Sequence, residues 1–494
     1  MPFPAMLVTM VRLSKSRIMS SLQCLKRVHL EVHHPYLKEI SASTRAAFDI
    51  GHRVGEIAVS IYGQGKGVFL EYEDGLGRAL ARTSALMGRA ERVPLFETTL
   101  QHEGVLVRED VLLPRGDSWH LVEVKATTRQ KSEHVQDCAI QAWVHRGAGH
   151  PLESIALAHI NNQFVYRGDG DYSGILVEVD LTEPVRQLLP SVKVWVGHAR
   201  QAVDGPMPDL PVGQHCFTPY ECPFFKHCWP TDSEYPVHGL KGSRKKLGEL
   251  VTAGYRDIRE VPPELLSSED QLRIRRVTKS TRAEILPGAG KFVRALAYPR
   301  YYLDFETVGP AIPVWTDTRP YQAVPFQWSC HIEEAPGEIR HTEFLDMSGE
   351  PPMRALTEKM IVDLGHKGPI LMYTSYEKGV ISGLAERFPD LAGQLQAIIE
   401  RLVDLYPVAK INYYHPDMLG SWSIKAILPT IAADMDYANL EGVAEGTQAS
   451  NAFQEATRPG TSAVRTEEIR RELLEYCAFD TLAMLRLVEF FTQH

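Results

Sequence analysis

The chain has 494 residues, 44% hydrophobic and 23% charged, with a formal net charge of −9 at pH 7. That length exceeds one ordinary hydrophobic core, so two or three domains of mixed α/β type are expected. The acidic balance excludes a histone-like binder held by bulk charge, and no run approaches the roughly 18 apolar residues of a membrane span.

Residues 1–12 are mildly apolar with no basic stretch before them. They make a poor signal peptide, so a short tail and a cytoplasmic location are expected. Folding signals begin at Leu13. Cys24 follows in Leu22-Gln23-Cys24-Leu25-Lys26-Arg27, and a helix is expected over Phe48–Ala58, which contains His52, Gly55 and Glu56.

Two strand-like runs come next, Val105-Leu-Val-Arg-Glu-Asp110-Val-Leu-Leu and Trp119-His-Leu-Val-Glu123-Val-Lys125-Ala. A strand repeats every two residues, so Glu123 and Lys125 share a face. A hairpin turning over Pro114–Ser118 would set Asp110 beside Glu123. Two carboxylates so placed suit a hard cation such as Mg²⁺, and Lys125 would orient the attacking water and offset phosphate charge. An ion pair on an exposed strand face is the plain alternative. A helix carrying Gln136 and Gln141 is expected over Val135–Trp143.

Seven cysteines in a cytosolic chain do not read as a disulfide framework. Cys216, Cys222 and Cys228 sit close together among Pro and aromatics, and Cys24 offers a fourth thiol. Four thiolates satisfy a 4Fe–4S cluster, whereas zinc sites favour two close cysteine pairs that are missing here. Zinc and metal-free thiols remain the alternatives. Cys138, Cys330 and Cys477 read as small core residues.

Residues 236–296 form the expected linker, with helices over Leu247–Ala253, Ile258–Val261 and Gln271–Thr278. From Lys241 to Arg300 there are fourteen Lys/Arg against seven Asp/Glu, a local charge of +7. Residues 297–494 open on the strand Arg300-Tyr-Tyr-Leu-Asp304-Phe-Glu306-Thr, with two acids on one face. Pro369–Tyr373 is a further strand, leading to Thr374-Ser-Tyr-Glu377. Asp404 and Ser421-Trp-Ser-Ile-Lys425 follow. The final helix shows apolar Ile469, Leu473, Cys477 and Met484 at helical spacing, and Tyr476 and Asp480 four residues apart share a face.

Asp110…Glu123-x-Lys125 resembles the core of the PD-(D/E)XK nuclease superfamily. With Cys24 and Cys216/222/228 it is similar to the iron–sulfur RecB-like branch, which includes CRISPR-associated RecB-like exonucleases. There the cluster staples the two ends of the nuclease domain. The resemblance implies a carboxylate at Glu56, with His52 in reserve because Gly55 stands where a histidine is usual. It also implies a role for Gln141. Asp304-x-Glu306 with Tyr476-x3-Asp480 resembles the DnaQ-like DEDDy exonucleases, of ribonuclease-H-like fold, and Glu377 then stands where an aspartate is expected. Asp304, Glu306, Glu377 and Asp480 would hold two cations about 4 Å apart, with Tyr476 orienting the water and Lys425 near phosphate. The whole chain resembles a bacterial fusion: an iron–sulfur RecB-like nuclease over residues 13–235, a helix–hairpin–helix-like linker over 236–296, and a ribonuclease-H-like domain of the domain-of-unknown-function 2779 type over 297–494.

The resemblance implies a metal-dependent nuclease using Mg²⁺ or Mn²⁺ and a 4Fe–4S cluster, acting in DNA repair, processing or defence. Nucleic acid is the expected partner, DNA ahead of RNA, with no membrane involvement. Two other readings stay open: a nucleic-acid-binding scaffold with one or both centres degenerate, and a zinc-binding interaction protein.

Overall fold

The computed structural model describes residues 13–72, 75–230 and 232–494, without the side chains of Ala42 and Ser43. The expected tail, 1–12, lies outside the described residues. The chain divides into two compact units, not three blocks. One runs to Trp229 and takes in Ala311–Tyr321, and the other comprises Pro230–Pro310 and Gln322–His494. The expected linker therefore folds as part of the second unit. Its helices form at Arg244–Thr252 and Glu269–Ser280, with a single 3₁₀ turn at Ile258–Glu260. Gly254 ends the first of these at φ 97°, a left-handed conformation that costs glycine little.

The first unit is built on a seven-stranded sheet. Its main path runs Val68–Phe69, Leu95–His102, Val105–Arg115, Ser118–Lys125, Leu152–Ile160, Leu176–Asp180, and Leu13–Ser14 pairs with Val105–Arg115. Val105–Arg115 and Ser118–Lys125 form the expected hairpin, with Val111 opposite Val122 and Arg115 opposite Ser118. The turn is tighter than expected, two residues with Gly116 at φ 52°. Ser118–Lys125 runs parallel to Leu152–Ile160, and the helix Ser132–Gly147 makes the crossover.

Alternation decides what each sheet face buries. Val111 and Val122 join Ala58 of the helix Ala42–Gly63 and Phe96 in one apolar cluster. Leu112 and Leu121 join Cys138, Ala139 and Ala142 of Ser132–Gly147 and Val192 and Val196 of the helix Thr182–Asp204 in another. Fully burying each such aliphatic side chain contributes about 1.5–3 kcal/mol. Asp110 and Glu123 alternate with Val111 and Val122, so they face the Ser132–Gly147 side.

The second unit has a five-stranded sheet in the order Glu338–Leu345, Val324–Ala335, Arg300–Val308, Ile370–Met372, Leu402–Asp404. The first three strands are antiparallel, and the last two run parallel to Arg300–Val308. The helix Ala463–Gln493 buries Ile469, Leu473, Cys477 and Met484, the stripe its sequence predicts. Part of the basic charge of 241–300 is tied up locally. Arg259 pairs with Asp257, Arg273 and Arg276 with Glu284, and Arg300 is buried. Among the described residues no helix is long and apolar enough to cross a membrane.

Candidate functional site

The hairpin, the Ser132–Gly147 helix and the helix Lys15–Gln23 converge on a carboxylate cluster in the first unit. Asp110 Oδ2 accepts the Val124 amide at 2.8 Å. Glu123 is 1% exposed and fully engaged: Oε1 meets Lys125 at 2.5 Å and Lys15 at 2.9 Å, and Oε2 accepts from the Gln141 amide at 2.6 Å. Asp137 receives Lys15 at 2.9 Å, Lys125 at 3.0 Å and Gln141 at 2.9 Å. Burial and the nearby Glu123 push the Asp110 carboxyl up to about 8. Burial acts on Asp137 too, but Lys125 and Lys15 overcome it and hold that carboxyl well below the usual range. Hence Asp137 carries the charge balanced by two lysines, while Asp110 holds a proton near neutrality.

Asp110, Glu123, Lys125 and Gln141 are thus brought together as their pattern predicts. Glu56 is not. It is exposed on Ala42–Gly63, whose Ala58 packs on the sheet face opposite Asp110 and Glu123. His52 is exposed on the same helix. Lys15, Asp137 and Glu97 were missed. Asp137 was legible four residues before Gln141, on one helix face. Lys15 carries no local signal, being joined to Glu123 only by the fold. Glu97 pairs with Arg108 at 3.0 Å, and burial and Glu123 raise its carboxyl. Its φ of 58° is a strained backbone for glutamate inside a strand.

Cys24, Cys216, Cys222 and Cys228 line one small pocket with Lys26, Arg27 and Phe224. Cys24 is the single residue between Lys15–Gln23 and the helix Leu25–His33. The three later thiols come from a loop stitched together by the Cys222 amide on the Cys216 carbonyl at 2.7 Å. Gln23 closes the two segments by donating to the His215 and Tyr220 carbonyls, each at 2.7 Å. All four cysteines are free of disulfides. Four thiols from two distant segments, with the His215 Nε2 3.7 Å from the Cys216 sulfur, fit a soft, thiolate-bound group.

In the second unit Asp304, Glu306, Tyr476 and Asp480 line one open cleft with Thr307, Tyr373, Tyr376 and Gly446. Asp304 and Glu306 come from the central strand. Asp480 and Tyr476 come from Ala463–Gln493, and Glu377 from the first turn of the helix Tyr376–Arg387. Glu377 is 3% exposed and its Oε2 has no hydrogen-bond partner. Glu377 and Asp304 share a hydrogen bond. Burial, then Asp480, holds both Asp304 and Glu306 well above the usual carboxylate range, and burial pushes Glu377 up to about 7. Three buried carboxylates and the half-buried Asp304, gathered at one place, repel one another unless protons or cations intervene.

The Tyr437 hydroxyl donates to Asp480 Oδ1, and Lys425 donates to the Tyr476 hydroxyl at 3.0 Å. Tyr437 was missed, because its place beside Asp480 depends on the loop before Ala463–Gln493. Cys477, expected as plain core, is fully buried but sets its sulfur 3.9 Å from Asp304 Oδ2. Asp304, Glu306 and Cys477 are close enough for one ion. Asp404 caps the helix Leu405–Asn412 through the Tyr406 amide at 2.9 Å and also accepts the Thr374 amide at 3.0 Å. Thr374 sits at φ 86°, a strained conformation for a β-branched residue three positions before Glu377.

Residues 301–423 match a family described as "Domain of unknown function (DUF2779)". The matched segment holds Asp304, Glu306 and Glu377 and ends before Lys425, Tyr476 and Asp480. No curated protein matches the chain. Nine chains of solved structures match. One, titled "Crystal structure of SSO0001", is 14% identical over 39% of this chain and 74% of that chain, with a TM-score of 0.21, too low to carry a fold argument.

Proposed function

We propose that the chain is a metal-dependent phosphodiesterase that cuts nucleic acid, DNA ahead of RNA, with the cleft of the second unit as its principal centre. The observation that carries this reading is the convergence of four carboxylates: Asp304, Glu306 and Asp480 line the cleft, and Glu377 lies buried against Asp304 with its Oε2 unpartnered. Hard oxygen donors, like charge and an unsatisfied buried acceptor fit Mg²⁺ or Mn²⁺. When bound, such ions supply Lewis-acid stabilisation and a nucleophilic water. Asp304, Glu306, Glu377 and Asp480 are the residues that would hold them. Tyr476 stays neutral because burial, then Asp480, raises its hydroxyl, so it orients a water by hydrogen bonding. Lys425 fixes Tyr476. The sheet order, with three antiparallel strands followed by two parallel ones, supports the ribonuclease-H-like reading.

The first unit supports a second, PD-(D/E)XK-type centre at Asp110, Glu123 and Lys125, with Asp137 and Gln141 in support in place of Glu56. Cys24, Cys216, Cys222 and Cys228 would hold a 4Fe–4S cluster as a staple between the two ends of that unit. One observation favours the reading in which this centre is quiescent: both Glu123 oxygens already have protein partners.

The test is anaerobically purified full-length protein with Mn²⁺ on end-labelled single- and double-stranded DNA and RNA, alongside Asp304→Ala, Asp110→Ala and the double variant. Activity lost only in Asp304→Ala supports a single acting centre, and activity lost only in the double variant supports two. If wild type and both single variants are equally inert on every substrate, the catalytic reading fails and the scaffold reading replaces it.

A further inference from the structure

Lys15 sits among the charged groups of the first centre, yet the proposed chemistry gives it no task. Its ammonium lies 2.9 Å from Glu123 Oε1 and 2.9 Å from Asp137 Oδ1. Lys125 meets the same Glu123 oxygen and the other Asp137 oxygen. Two ammonium groups therefore share two carboxylates, and Glu123 Oε1 is occupied twice. The two lysines are not equivalent. Lys125 stands two residues from Glu123 on one strand, so its backbone cannot leave that carboxylate. Lys15 reaches in from the first turn of a separate helix on a flexible four-carbon stem, and Asp137 can keep it after Glu123 lets go.

We propose that Lys15 is a positioning residue of the first centre, an internal counter-ion that holds Glu123 and Asp137 while no divalent cation is bound and yields Glu123 Oε1 when one enters. Its consequence for turnover rests on the nuclease reading above, but its effect on cation binding does not. A cation approaching Glu123 meets the field of both lysines, and one positive charge about 4 Å away is felt strongly inside a protein. Removing Lys15 frees an oxygen and removes that repulsion, so divalent binding tightens. Loss of an ordinary structural ion pair would loosen the carboxylates and weaken binding, which is the opposite sign.

The experiment titrates full-length protein with Mn²⁺, following free Mn²⁺ by electron paramagnetic resonance. Asp304→Ala serves as the parent, to weaken the second cleft, and Lys15→Met, Lys15→Gln and Lys15→Arg are made in it. Lys15→Gln keeps a polar group in case Lys15→Met does not fold. The neutral variants should lower the half-saturating Mn²⁺ concentration by at least about tenfold, since one unit charge at this range repels a divalent ion by that much even when screened as in water. Lys15→Arg should titrate within about twofold of the parent, since the charge is kept. Equal or weaker Mn²⁺ binding in folded neutral variants overturns the proposal, as does a shift in Lys15→Arg as large as that in Lys15→Gln. Shifted titrations with no cleavage of any end-labelled substrate by wild type would leave Lys15 as a counter-ion and sink the nuclease reading. Cleavage with unmoved titrations would do the reverse.

Discussion

The Lys425 ammonium donates to the Tyr476 hydroxyl at 3.0 Å and to the Ala444 carbonyl at 2.6 Å, which fixes the phenol beside Asp480. Tyr476→Phe removes the hydroxyl but none of the four carboxylates. Cleavage should fall by about ten- to a hundredfold, the usual cost of losing an orienting partner around a metal site, with Mn²⁺ binding unchanged by calorimetry. Lys425→Met should match it on cleavage. A Tyr476→Phe enzyme as dead as Asp304→Ala would place the tyrosine among the essential groups instead.

Glu377 tests whether the longer side chain is a working ligand. Its Oε2 is buried without a partner and its backbone follows the strained Thr374. Glu377→Gln keeps the volume and removes the charge, so it should fold normally and lose at least about tenfold in Mn²⁺ affinity, a loss typical of altered metal-site groups. Glu377→Asp should retain part or more of the wild-type rate. An unchanged Mn²⁺ titration in Glu377→Gln removes this residue from the ion site.

Ion-free protein should become less stable as pH rises. Asp110, with its carboxyl near 8, and Glu377, near 7, both bind protons more tightly folded than unfolded, where carboxyls titrate near 4. Stability is therefore greatest below about pH 4–5, as far as these two groups decide it, and is lost progressively up to about pH 7–8. Divalent ions replace the protons, so the gain in melting temperature from Mn²⁺ should grow over the same interval. Melting curves at pH 5, 6, 7 and 8, with chelator and with Mn²⁺, read both trends. A Mn²⁺ gain independent of pH would contradict the protonated-carboxylate account.

Cys24→Ser should leave anaerobically prepared protein short of iron and lower the melting temperature of the first unit, because Cys24 is the only pocket thiol from the N-terminal segment. Iron analysis and visible absorption near 400 nm check the cluster, which should contain about four irons. Stoichiometric zinc in colourless wild-type protein would replace iron–sulfur with zinc.

A buried pair that takes no part in either carboxylate cluster gives a stability test. Glu109 accepts from Thr98 at 2.8 Å and lies 2.9 Å from His145 Nδ1, with Glu109 and His145 wholly buried. His145→Ala should cost about 2–3 kcal/mol in urea unfolding, since a buried carboxyl loses a partner. A cost below about 0.5 kcal/mol would mean that the cavity admits water.

What the sequence makes legible follows interaction range. Period-two alternation places Asp110 against Glu123, and helical spacing puts Tyr476 and Asp480 on one face, because those relations are local. The same locality makes Asp137 readable beside Gln141. Glu56 fails because a helical pattern does not say which sheet face its helix will cover, and this one covers the face away from the carboxylates. Lys15 and Tyr437 reach their partners only through the tertiary fold. The chain divides after Trp229, close to the expected 235, but Ala311–Tyr321 belongs with the first unit and 236–296 with the second, which composition does not encode.

The helix Lys15–Gln23 bears on the order in which the protein is made. Its lysine waits for a carboxylate 108 residues downstream, and Gln23 waits for a carbonyl 192 residues downstream. On a ribosome the opening of the first unit is synthesised early and finished late, so Ile18 and Val28, both fully buried in the end, stay uncovered while most of the unit is still being translated. Closure over such separations is slow, which makes this opening segment the place where a nascent chain most needs shielding from aggregation.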